Sequence, residues 1–94
     1  MEDIRPSVAW FSEQMERKLR RDDNCKCAWE TEDVWCLLES AFDEWQELSE
    51  ALRDHVRHGA PAADVVAECA DVANMVMMIA CQMDAGMRGR RRGM

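Results

Sequence analysis

Apolar positions recur every three to four residues over three stretches of the chain, and no stretch shows the two-residue alternation of a half-buried strand. The first runs from about Ser7 to Arg21. Val8, Phe11, Met15 and Leu19 share one face, Glu13, Glu16, Arg17 and Arg20 supply the wet side, and Pro6 and Ser7 suit a helix start. The second runs from about Glu32 to His58, with a stripe of Val34, Leu38, Ala41, Trp45, Leu48, Leu52 and Val56 widened by Leu37 and Phe42. Gly59 reads as its C-terminal cap and Pro61 as a first-turn residue of the next helix. The third runs from about Pro61 to Asp84. A turn this short predicts an antiparallel hairpin of the second and third helices.

The third helix carries Val65, Val66, Cys69, Val72, Met75, Val76, Met77, Met78, Ile79 and Met83, so it is apolar on nearly every side. Such a helix needs neighbours all round, and two partners from one short chain do not suffice. The expected fold is therefore all-α: a small, hairpin-based helical bundle completed by oligomerisation, as a homodimer or a dimer-based homotetramer. The methionines read as adaptable core or interface packing. Residues 1–85 form the expected domain. Residues 86–94, with Arg88, Arg90, Arg91 and Arg92 among glycines, read as a basic, flexible tail. Asp22 to Thr31 has no sustained period and reads as a connection.

A length of 94 residues bounds the chain to one domain. The net charge of −7 argues against a general nucleic-acid or membrane-surface binder, although bound divalent metal would still let an acidic protein handle phosphates. The longest apolar run, Val72 to Cys81, is too short to span a bilayer. Five cysteines without a secretory signal suggest reduced thiols in a cytoplasmic protein. Cys69 and Cys81 read as buried small hydrophobes, and the Cys25-x-Cys27 pair lacks the further ligands of a structural zinc site.

The candidate chemistry lies in carboxylates. Glu44 and Glu47 are three apart on the second helix, and Glu68 and Asp71 are three apart on the third. Each pair shares a helical face one turn apart, and a hairpin lets the two pairs converge. Asn74 continues the second pair by one turn. Four clustered carboxylates repel one another without cations, so the arrangement calls for metal. Oxygen-only ligands favour magnesium, with manganese as a substitute. A di-iron bundle wants Glu-x-x-His, and His55 and His58 fall outside both pairs. From spacing alone, acids three apart are also common on ordinary wet helix faces, and Glu50 and Asp54 read as residues of such a face.

The Glu44-x-x-Glu47 pair, twenty residues, then Glu68-x-x-Asp71 resembles the signature of the MazG-like all-alpha nucleotide pyrophosphohydrolases. The run Glu68-Cys-Ala-Asp71-Val-Ala-Asn74-Met-Val-Met-Met-Ile-Ala80 and the segment Asn24-Cys-Lys26-Cys-Ala-Trp29 are similar to the compact, phage-type branch. The likeness covers about residues 7 to 84. It implies magnesium-dependent hydrolysis of a nucleoside or deoxynucleoside triphosphate to the monophosphate and pyrophosphate, by a dimer or dimer-based tetramer. Carried onto this chain, it implies that Glu44, Glu47, Glu68 and Asp71 hold metal and that Asn74 assists them or positions substrate. Lys26, and more weakly Lys18, would face phosphate, and Trp29 would line the base or sugar pocket. Cys27 and Ala28 stand where that branch usually has small glycines, and Cys25 where it often has histidine, so the loop departs from the pattern while the acids keep it. The alternative expectation is a non-catalytic helical regulatory or nucleotide-binding protein that retains the fold. A helical nucleic-acid binder using the arginine tail is a more distant one.

Overall fold

The computed structural model describes residues 3–21 and 29–92, with side chains up to Met87. Three helices make up the chain in the order α1 (Pro6–Arg21), α2 (Val34–His58) and α3 (Ala62–Arg92), with no strand among the described residues. Asp33 caps α2, its Oδ1 accepting from the Trp35 backbone N–H at 2.8 Å. That satisfies one of the orphan donors of the first turn and sets the helix start two residues later than the expected Glu32.

The end of α2 follows the sequence reading. Gly59 sits in the left-handed region at φ 74°, which a side-chain-bearing residue rarely adopts. The backbone N–H groups of Gly59 and Ala60 return to the carbonyls of His55 and Asp54, and His55 Nδ1 donates to the Ala60 carbonyl at 2.6 Å. These bonds close the tight turn that folds α3 back on α2. Pro61 lies just before α3, its carbonyl accepting from the Asp64 N–H. The helix itself runs to Arg92, eight residues beyond the expected end at Asp84. Gly86 lowers helix propensity there, but arginines are good helix formers and basic groups near a C-terminus complement the helix dipole.

α3 is the spine. It packs against both α1 and α2, which do not pack on each other among the described residues. The most enclosed residues follow from this: Ala70 and Asn74, one turn apart on α3, and Leu37 and Ala41 on α2. The radius of gyration is 15.6 Å, against roughly 12 Å for a compact chain of this length. The core of one copy is correspondingly thin. Cys69 is only half-buried and Cys81 is exposed, which corrects the expectation that both are core residues. Cys36, Cys69 and Cys81 are free thiols. No helix among the described residues is long and apolar enough to cross a membrane.

The single apolar stripe expected on α2 resolves into two. Val34, Leu37, Ala41, Glu44, Leu48, Ala51 and His55 follow one another at intervals of three and four, and all seven are buried or half-buried. Since α3 is the one helix that packs on α2, this is the seam between them. A second seam, displaced by one residue, comprises Trp35, Leu38, Phe42, Trp45, Ser49, Leu52 and Val56. All but Ser49 are exposed.

Candidate metal centre

Glu44 is the one acid on the inner seam of α2. Its position, between Ala41 and Leu48, is one that packing alone would give to an apolar residue. From α3, the i, i+3 spacing of Glu68 and Asp71 brings both to the same helix face, and all three carboxylates are half-buried. One oxygen from each of Glu44, Glu68 and Asp71 lies within 4.8 Å of the others, forming a cluster of the kind that can hold a metal ion.

Glu47 takes a different place from the one expected. It is exposed and does not belong to that three-oxygen cluster, but its side chain hydrogen-bonds with Glu44. The reason is angular. Glu44 already lies three residues past Ala41 on the seam, so a second step of three carries Glu47 about 120° round the helix from Ala41. The inner seam continues through Leu48 instead, leaving Glu47 at the rim.

The electrostatics show the strain of this assembly. Burial, the hydrogen bond that protonated Glu44 donates to Glu47 and the nearby negative charges of Asp71, Glu47 and Glu68 push the Glu44 carboxyl up to about 7. Glu68 is also pushed above the ordinary carboxylate range, first by burial and then by Asp71 and Glu47, with Lys18 acting in the opposite direction. A carboxylate whose ionised form is disfavoured by desolvation and like charge is stabilised by a cation. Glu44 Oε2 and Glu68 Oε2 are moreover buried without a hydrogen-bond partner.

One cation comes from the chain itself. Lys18, on α1, places Nζ 3.3 Å from Asp71 Oδ2, with both side chains largely covered. α1 is held there by Asn74, which is 4% exposed and donates from Nδ2 to the Met15 carbonyl at 3.1 Å. Its Oδ1 is buried and unpartnered. Asn74 thus joins the acid-bearing helix to the lysine-bearing one. The family resemblance offered Lys18 only as a weaker candidate than Lys26 for facing phosphate.

Of the remaining expected residues, Lys26 lies outside the described residues. Trp29 does not join the carboxylates. Gln82 of α3 donates from Nε2 to the backbone carbonyls of Trp29 and Glu32, at 2.6 and 2.7 Å. Gln82 is eleven residues beyond Asp71, or about 16 Å along the helix axis. Trp29 Nε1 is buried there without a hydrogen-bond partner. Gln82, which fastens the approach to α2 onto the spine, was not singled out in the sequence. Nothing in a lone glutamine on a helix signals that it will cap two loop carbonyls.

Comparison with family models, with curated proteins and with solved structures returned no match.

Proposed function

We propose that this protein is a magnesium-dependent nucleoside triphosphate pyrophosphohydrolase, producing a nucleoside monophosphate and pyrophosphate. The observation that carries the reading is the convergence of Glu44, Glu68 and Asp71 from two helices, with oxygens inside 4.8 Å of one another. The donor set suits the ion. Magnesium takes oxygen ligands at about 2.1 Å, which places them up to about 4.2 Å apart across the metal. Closing the cluster on an ion therefore needs only small side-chain adjustments. Glu44 and Glu68 each have a buried oxygen without a hydrogen-bond partner, as a site awaiting a cation would. Manganese satisfies similar chemistry.

When bound, the metal would neutralise phosphate oxygens and make a water molecule more acidic. Glu44, Glu68 and Asp71 would hold it, and Glu47 would steady Glu44 from the rim. Lys18, already beside Asp71, is placed to attract phosphate charge once metal takes over the carboxylate. The resemblance of the paired Glu-x-x-Glu and Glu-x-x-Asp motifs supplies the choice of a phosphoanhydride as the bond cut. A homo-oligomeric state belongs to the same reading.

The Lys18–Asp71 ion pair favours a second reading, in which the chain neutralises its own acid cluster and the fold serves binding without catalysis. A single experiment separates the two. Purified protein is incubated with canonical and modified nucleoside triphosphates and magnesium or manganese, and monophosphate and pyrophosphate are measured. Turnover that Glu44→Gln and Asp71→Asn abolish supports the enzyme. No hydrolysis across the panel, or full activity in both variants, would rule it out, and orthophosphate as the direct product would mean a different bond is cut.

A further inference from the structure

We infer that α1 is a cation-sensitive strap beside the acid cluster, fastened by Lys18 in the metal-free protein and loosened when a divalent cation takes up Asp71. The inference rests on the metal-binding part of the proposed function and does not depend on which bond, if any, the protein cuts.

α1 is lightly held. None of its residues is buried, and its half-buried positions are Phe11, Gln14, Met15, Lys18 and Leu19. Their intervals of three, one, three and one mark a single helix face, and α3 is the helix it packs on among the described residues. Val8 and Trp10 stay exposed. Two of the five half-buried positions are polar, so apolar burial does little to fix the helix. A helix of 16 residues is marginal in water by itself, so α1 keeps its structure chiefly while docked.

Lys18 stands in this docking face where packing alone would favour an apolar side chain, as Glu44 does on α2. A covered ammonium is costly unless it is paired. Here Nζ meets Asp71 Oδ2 at 3.3 Å, with each side chain 18% exposed. One turn earlier, the Met15 carbonyl accepts from Asn74 Nδ2. Both contacts fall in the second half of α1, so the seating of that half depends in part on the charge of Asp71.

That same carboxylate is one of the three whose oxygens lie within 4.8 Å of one another. Asp71 therefore answers to two cations, the ammonium from α1 and an ion at the cluster. Glu44 and Glu68, each with a buried oxygen lacking a hydrogen-bond partner, offer the ion ligands that Lys18 leaves unsatisfied. A divalent charge among these acids neutralises the field that holds the ammonium and repels it, across a largely covered region where salt screens little. Metal loading and α1 docking are thus opposed. Linkage makes the opposition reciprocal: the factor by which the ion loosens α1 equals the factor by which docked α1 weakens the ion. The Asn74–Met15 hydrogen bond carries no net charge, so it keeps α1 tethered while the Lys18 end loosens. The α1 side of the cluster opens on loading.

The test is amide hydrogen exchange of the full chain in chelator and in saturating magnesium, without nucleotide, because it reads each helix separately. Magnesium should speed exchange from Met15 to Arg21 by about fivefold while slowing it around Glu44 and Glu68. In Lys18→Met, exchange of α1 should no longer respond to magnesium, and Lys18→Arg, which keeps the charge, should retain the response. Unchanged or slower exchange of α1 in wild type, with α2 and α3 responding, would overturn the strap and leave the metal-binding reading standing. No response in any helix would overturn both. An α1 response in Lys18→Met as large as in wild type would also overturn the proposal, since the effect would not pass through Lys18. The wild-type comparison decides the direction by itself, so the test stands even if Lys18→Met fails to fold.

Discussion

Lys18 reaches from α1 to Asp71 on α3, Nζ to Oδ2 at 3.3 Å, so the acid cluster already has a cation beside it. A metal entering the cluster must compete with this ammonium. A largely covered pair of this kind contributes about 1 kcal/mol, which corresponds to about fivefold in an equilibrium constant. Lys18→Met should therefore tighten magnesium binding by about that factor in calorimetric titration without nucleotide. Weaker binding in the variant would show that Lys18 organises the cluster instead of competing for it.

The metal-free protein should lose stability as pH rises. A glutamate ordinarily ionises near 4.5, whereas folded Glu44 does so near 7. Between those values the folded state holds a proton that the unfolded chain has released. The stabilisation linked to that proton is complete below 4.5 and is lost as pH passes 7. Glu68, shifted in the same direction, adds to the trend. Thermal unfolding in chelator should show Tm falling by a few degrees between mildly acidic and mildly alkaline buffer. Magnesium should reverse the fall at the alkaline end. A flat profile would contradict the electrostatic picture.

Replacing the acids should separate stability from activity. Glu44→Gln removes the charge that burial and its neighbours disfavour, so the metal-free variant should match or exceed wild type in Tm at alkaline pH. Its magnesium-induced stabilisation should nearly vanish. Outer-shell partners of a metal alone cost about 10–100-fold when removed, so a direct ligand should cost about 100-fold or more in turnover. Glu47→Gln, at the exposed rim, should cost less than Glu44→Gln. Parallel measurements of the two variants check the ranking, and an equal or larger loss at Glu47 would make it a direct ligand.

Asn74→Leu should loosen α1. The variant deletes the donor that meets the Met15 carbonyl and leaves that acceptor without its side-chain partner. The cost is about 1–3 kcal/mol, readable in urea unfolding. Because α1 also carries Lys18, the same variant should weaken the Lys18–Asp71 pair, detectable as a change in the pH dependence of stability. A variant as stable as wild type would show that α1 is held chiefly by its apolar contacts.

Three helices, their all-α class, the hairpin turn at Gly59 and the pairing of Glu44 with Glu68 and Asp71 were legible from periodicity and turn chemistry. These are local properties: apolar spacing defines a helix face, and a left-handed turn selects glycine. The chain also showed that it carried more apolar surface than one copy could bury. It did not show how that surface divides. Side chains one position apart on a helix point about 100° apart, and only the placement of α3 separates the Leu37–Ala41–Leu48 seam from the Trp35–Phe42–Trp45 seam.

Tertiary structure likewise decided the ranking within the acid set. Spacing made Glu44 and Glu47 equivalent, but the crossing with α3 draws one into the cluster and leaves the other at its edge. Asn74 donating to Met15, Lys18 meeting Asp71 and Gln82 holding the carbonyls of Trp29 and Glu32 are contacts between residues fifty or more positions apart. The sequence by itself determined which elements form and which residues carry charge. Which charges meet, and which apolar row stays exposed, depended on α3 packing between α1 and α2, because only packing converts positions along a chain into distances in space.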